Sequence, residues 1–292
     1  MVNESTFEAV KIRYLVLWII LLFIVMTVFV LASHRLLKGA EWSVAFGLLF
    51  YALISYWMLR NFRKIHMDYS RFIGHIPHDY NWLFLLTIVF AVIIFSLGIT
   101  ELSRYIVSVL DPGILGELPR TSLFYTPQDT PLAPFMNFLD FLTGVIAAPI
   151  VEELLFRGVM LHRFTFKWGL KKAILASSLI FGVLHADFIG AFIFGLVMCI
   201  LYIKTGTIII PIIAHMLNNM LAYAMQMLSN INHQNSALMH TTPNPNIGMA
   251  VFLLIVAGMV IFFFLYRNWP KAYWNPPYFQ RDYQGVQENY YY

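Results

Sequence analysis

Residues 134–160 read PFMNFLDFLTGVIAAPIVEELLFRGVM, an apolar run with two adjacent carboxylates, Glu152 and Glu153, near its end. About 20 apolar residues suffice for a helix to cross the hydrocarbon of a bilayer, so this run reads as a membrane span. A carboxylate there costs roughly 2.5–3.5 kcal/mol on insertion scales, and two of them need partners or a task. Polar partners recur within this and other apolar runs: Arg157, His185, His215 and Asn219. A carboxylate, two imidazoles and an amide inside a membrane point to chemistry on a buried substrate.

The composition agrees. Of 292 residues, 60% are hydrophobic and 12% charged, with a mean hydropathy of +0.70; soluble domains carry about 25% charged residues. The fold class expected is an all-α, polytopic membrane helical bundle of about eight transmembrane helices. The net charge of +4 is no nucleic-acid signal. The lone Cys199 excludes an intramolecular disulfide framework and a cysteine-based metal site. Expected spans are 14–33, 42–59, 82–102, 134–160, 173–186, 189–203, 207–228 and 247–266. The fifth and sixth are short and joined by Asp187 and Phe188, as in a tight helical hairpin. The first is longer than a signal-peptide core and no A-x-A site follows it, so it reads as a retained span.

Basic residues orient the bundle. With the N-terminus inside and eight alternating spans, only Arg35, Lys38, Arg104 and Arg120 fall outside. Lys11, Arg13, Arg60, Arg63, Lys64, Arg71, Arg163, Lys167, Lys171, Lys172, Lys204, Arg267, Lys271 and Arg281 fall inside. Both termini are therefore expected in the cytoplasm. Residues 103–132, rich in Pro and Gly, read as an external loop whose start, 102–110, is a candidate short interfacial helix; residues 229–246 read as a second external loop. With no internal repeat, residues 1–292 form one domain with a motif-bearing core at 134–228. The aromatic cytoplasmic tail, 269–292, reads as a headgroup anchor and a candidate partner surface, with 287–292 as disordered.

Glu153 and Arg157 are four apart, share a helix face and can pair. Glu152 projects elsewhere and is the candidate general base. The trio also reads as an interfacial charge cluster, because Arg163 and Lys167 follow closely. His185 shares a face with Phe181, and a lone transmembrane histidine is also an ordinary packing residue. His215 and Asn219 point one way, and Asn218 reads as interhelical glue. Pro211 sits one turn before His215 and kinks or starts the helix. At about 1.5 Å per residue, Glu152, His185 and His215 reach similar depths and can line one cavity. Asp140, Asp187, His162, Lys204, His233 and His240 read as solvated or interfacial.

The pattern E-E-x-x-x-R at Glu152–Arg157, F-x-x-x-H at Phe181–His185 and H-x-x-x-N at His215–Asn219 resembles, in order, the three motifs of the CPBP intramembrane proteases. That family includes type II CAAX prenyl endopeptidases, Abi proteins, and bacteriocin-processing and self-immunity proteins. The resemblance covers residues 134–228. It implies that Glu152 activates water with His185, that His215 and Asn219 stabilise the oxyanion, and that Arg157 pairs with Glu153 to position the helix. A metal-free hydrolysis is the preferred reading. Zinc on Glu152, His185 and His215 is the alternative, although the zincin H-E-x-x-H spacing is absent.

The function expected is that of an intramembrane endopeptidase acting on a membrane-associated peptide or protein. The lipid bilayer is its medium, in a bacterial plasma membrane, or in the endoplasmic reticulum if the source is eukaryotic. The resemblance also implies an alternative, an interaction protein that modulates a membrane sensor kinase or confers bacteriocin immunity. A transporter would show repeated halves or broken-helix pairs, which the sequence lacks.

Overall fold

The computed structural model describes residues 4–33, 39–111, 124–126, 129–235, 245–271 and 274–280. It is a helical bundle with no strand among the described residues. A short 3₁₀ turn, Glu4–Ala9, precedes α1 (Ile12–Ser33) and α2 (Gly39–Lys64). The one-turn α3 (Tyr69–Ile73) is capped by Asp68, which accepts from the Arg71 N–H at 3.1 Å. Next come α4 (Trp82–Leu110), a helical rod α5 over residues 133–168, α6 (Leu170–Val183), α7 (Phe188–Thr205), α8 (Ile209–Asn235), α9 (Ile247–Asn268) and a final turn, α10 (Pro277–Gln280).

Each expected span coincides with a helix, and the polytopic all-helical reading holds. Among the described residues, five segments are long and apolar enough to cross a membrane by length and composition: Phe7–Phe29, Trp42–Lys64, Trp82–Leu110, Phe188–Thr205 and Ile247–Asn268. α1 packs on α2 with one face outward, where Leu21, Val28 and Leu31 are exposed. α7 is the opposite case: Val197 through Tyr202 are fully buried, as suits a helix apolar all round at the centre of a bundle. α4 lies along α9, and α6 along α7. Gly195 permits the latter approach, since a Cβ there would sit 3.0 Å from Ser178 Cα.

Several expectations change. Residues 102–110 are no separate interfacial helix; they continue α4, where Arg104 pairs with Glu101 at 3.1 Å. The second external loop begins later than expected, because α8 runs on to Asn235. The candidate loop residues Pro112, Gly113, Gly116, Pro119 and Pro127, with His240, lie outside the described residues. Pro211 falls in the first turn of α8, where its missing N–H costs nothing.

The tail differs most. Tyr278 and Phe279 are buried in protein instead of anchoring at headgroups, and are not available as a partner surface. Tyr278 Oη accepts from the Asp68 N–H, and Arg71 lies over its ring. Phe7, from the 3₁₀ turn, meets both rings edge-on. All three enclose His162, which is fully buried and stacked on Phe7 at 4.9 Å. His162 is thus a core residue and not an interfacial one; its Nδ1 donates to Arg157 O at 3.2 Å. It lies past the end of the 134–160 span, and burial pushes its pKa down to about 3. Residues 281–292 lie outside the described set.

Candidate active site

The rod α5 is not a uniform α-helix. Two π-helical stretches, Leu142–Ala147 and Leu154–Met160, flank the α-helical turn Ala148–Glu153 that carries both glutamates. The first has a local cause. Pro149 cannot donate to the carbonyl four residues back and its ring crowds that turn, which the wider winding relieves. In the second, side chains take up main-chain carbonyls: Ser177 Oγ donates to Phe156 O at 3.1 Å, and His162 to Arg157 O. Gly158 lets the buried Phe72 ring close in, for a Cβ there would collide with Phe72 Cζ.

The expected Glu153–Arg157 pair forms, with Arg157 Nη1 2.9 Å from Glu153 Oε1 and both side chains fully buried. Arg157 is held twice more, by a bond from Nη2 to Gly195 O at 3.2 Å and by stacking over Phe181 at 4.8 Å. Glu153 Oε1 also accepts from His215 Nδ1 at 2.8 Å. The second motif carboxylate therefore joins α5 to α8 as well as pairing along its own helix.

Glu152 faces another way. Its Oε1 accepts from Tyr51 Oη of α2 at 2.6 Å. Its Oε2 lies 3.9 Å from His185 Nε2 and 3.9 Å from His215 Nε2, buried with no hydrogen-bond partner among the described residues. Both histidine tautomers follow from their other nitrogens. His185 Nδ1 must donate to the carbonyl of Phe181 at 2.7 Å, and His215 Nδ1 to Glu153. In the neutral rings both Nε2 atoms are then acceptors that converge, with Oε2, on one point. His185 also stacks on Phe181 at 4.3 Å, and its side chain is 37% exposed, so the point is open on that side.

Asn219 sits one turn beyond His215. Its Nδ2 donates to Gly144 O at 2.9 Å, in the first π stretch, and its Oδ1 accepts from Asn218 Nδ2 at 3.2 Å. One Nδ2 hydrogen remains for another acceptor. Asn218 thus holds the Asn219 amide, where glue between helices was expected. Asp187 lies in the α6–α7 turn as expected but is more than solvated: it caps α7 through Gly190 N at 3.0 Å and binds Ser96 Oγ of α4 at 2.7 Å.

Glu152 of α5, His185 of the α6–α7 turn and His215 of α8 are thus brought together, with the supporting pair, while Asn219 lies one turn beyond His215 on α8. Tyr51 was missed. Residues 42–59 hold two tyrosines, and nothing local separates the inward Tyr51 from Tyr56, which is 55% exposed.

The arrangement thus sets a carboxylate oxygen without a hydrogen-bond partner among the described residues beside two imidazole nitrogens, with an amide one helical turn beyond His215. Residues 134–221 match the family model described as type II CAAX prenyl endopeptidase Rce1-like. The chain is 34% identical over 92 residues to the candidate membrane peptidase YdiL of Bacillus subtilis (strain 168), covering 30% of this chain and 38% of that protein. It is 31% identical over 105 residues to an uncharacterised 24.3 kDa protein of Escherichia coli, covering 30% and 48%. The matches thus span less than half the length of these relatives. No solved structure matches.

Proposed function

We propose that the chain is an intramembrane endopeptidase that hydrolyses a peptide bond of a membrane-associated peptide or protein. The observation that carries this reading is the convergence of His185 Nε2 and His215 Nε2 on the unpartnered Oε2 of Glu152. A water there donates one proton to Oε2 and is oriented by His185 Nε2. Its oxygen attacks the scissile carbonyl carbon. The carbonyl oxygen takes up the electron pair and is met by the free Nδ2–H of Asn219, a donor worth more in a site that excludes bulk water. His215 joins as a second donor when it carries a proton on Nε2, with Glu153 as the counter-charge at its other nitrogen. The proton on Glu152 passes to the leaving amine, and the C–N bond breaks.

The preferred reading remains metal-free. A tetrahedral zinc with bonds of about 2.0–2.1 Å needs its donors roughly 3.3 Å apart, and the Oε2–Nε2 separations are wider at 3.9 Å. The same three side chains would hold zinc after a small contraction, leaving one position for water. The bacterial sources of both similar proteins support a bacterial plasma membrane as the location and a peptide pheromone, a bacteriocin leader or a membrane protein as the substrate class. Membranes of cells with wild type or Glu152→Gln, compared by terminal proteomics, test the reading. New termini that depend on Glu152 are expected, and identical profiles refute it.

A further inference from the structure

We infer that Tyr51 is a positioning residue of this site: its hydroxyl anchors one oxygen of the Glu152 carboxylate so that the other is left for the water. The inference rests on the reading of Glu152 as general base. Tyr51 lies outside the 134–221 segment that matches the protease family, and it stands near the middle of α2, one hundred and one residues before Glu152 in sequence. A phenol in the middle of an apolar span is unfavourable without a partner, and its partner here is the carboxylate at 2.6 Å.

The geometry separates the two oxygens of Glu152. An ionised carboxylate only accepts, so Tyr51 donates. With Oε1 engaged, rotation about the terminal side-chain torsion, which is otherwise broad, would break a short charge-assisted bond. Oε2 therefore stays on the side of His185 and His215, 3.9 Å from each Nε2. Arg157 does not serve this purpose, because its bonds go to Glu153 and Gly195 O. The Tyr51 ring is itself fixed edge-on against Phe50 at 5.4 Å. α2 also packs along α5 across the first π stretch and the glutamate turn, so the donor is presented by a packed helix.

Full-length wild type, Tyr51→Phe, Tyr51→Leu and Glu152→Gln in lipid nanodiscs provide the test, in two readouts. In infrared spectra of protein with ¹³C-labelled glutamate carboxyls, the Glu152 band is the one that Glu152→Gln removes. That band shifts in Tyr51→Phe if the phenol binds the carboxylate, and an unshifted band overturns the proposal. The second readout is cleavage of an internally quenched peptide with a farnesylated CAAX terminus. Tyr51→Phe should lower kcat about 10–100-fold, the range that loss of one hydrogen bond to a charged group produces. KM should stay within about twofold, as the phenol contacts no substrate. Tyr51→Leu should match Tyr51→Phe in kcat while unfolding at lower temperature, because it also loses the ring.

Wild-type kcat in Tyr51→Phe, with Glu152→Gln inactive, overturns the role of Tyr51 and leaves the proposed function standing. Loss of thermal stability in Tyr51→Phe in proportion to the loss of activity overturns it in favour of a structural role. An active Glu152→Gln removes the base itself and both readings with it. If wild type leaves the peptide whole, the infrared shift alone decides.

Discussion

His215 Nδ1 and Glu153 Oε1 lie 2.8 Å apart in the protein interior, and that same oxygen is 2.9 Å from Arg157 Nη1. One carboxylate oxygen thus serves an arginine of its own helix and a histidine of another. Charge balance, helix register and the tautomer of His215 are set by a single atom.

Arg157→Ala leaves Glu153 buried and short of its cation and frees Gly195 O. Breaking a buried pair from one side costs about 3–5 kcal/mol. Denaturation in detergent should show a loss of that size, with activity lost in parallel. Stability equal to wild type would show that the pair is not holding the bundle.

Glu152→Gln should behave differently. The amide oxygen can still accept from Tyr51, so unfolding should stay within about 1 kcal/mol of wild type, while hydrolysis is abolished because the amide takes no proton from water. Thermal unfolding and peptide cleavage measured on the same preparation check both halves.

Asn219→Ala removes the Nδ2–H proposed for the oxyanion and the bond to Gly144 O. Losing one oxyanion donor typically lowers kcat by about 10²–10³, and KM should change little. Purified enzyme should keep its activity after chelation. Stoichiometric zinc, with activity lost to a chelator and restored by the metal, would overturn the metal-free preference and leave the same residues at the centre.

His162 ties stability to pH. Its unfolded ring protonates near 6.5 and the folded one near 3, so this contribution to stability is complete above about pH 6.5 and is lost as pH falls toward 3. The slope approaches ~1.4 kcal/mol per pH unit. Thermal midpoints should therefore fall between pH 6.5 and 5, and His162→Gln should flatten that part of the profile. Identical profiles would refute the assignment.

Cysteines at Lys64 and Leu110, both exposed at opposite ends of the bundle, should label from opposite sides of the membrane. Cys199 is buried and should stay silent. Same-side labelling would refute the alternating spans.

The helices and the motif residues were legible because hydropathy and i, i+4 spacing are local properties. Glu153–Arg157 could be foreseen for that reason, and Glu152 followed as the side chain left over. The bonds from His215 to Glu153 and from Tyr51 to Glu152 depend on how α8 and α2 are rotated about their axes, which no spacing encodes. The π stretches are equally silent in the sequence, since one extra residue in a turn barely alters apolar periodicity. His162, Tyr278 and Phe279 misled because hydropathy cannot tell a side chain facing headgroups from one facing protein.

The closure of Phe7, Tyr278 and Phe279 over His162 also orders biogenesis. Phe7 is synthesised at the very start of the first span and the two tail rings after the last described one, yet all three must meet on the end of α5. Until residue 279 has cleared the ribosome, His162 lacks two of its covering rings, however completely the spans have been inserted. Released chains that end at residue 276 should therefore be digested faster by a protease than full-length chains. Maturation of the bundle on that face is a late, post-insertion event.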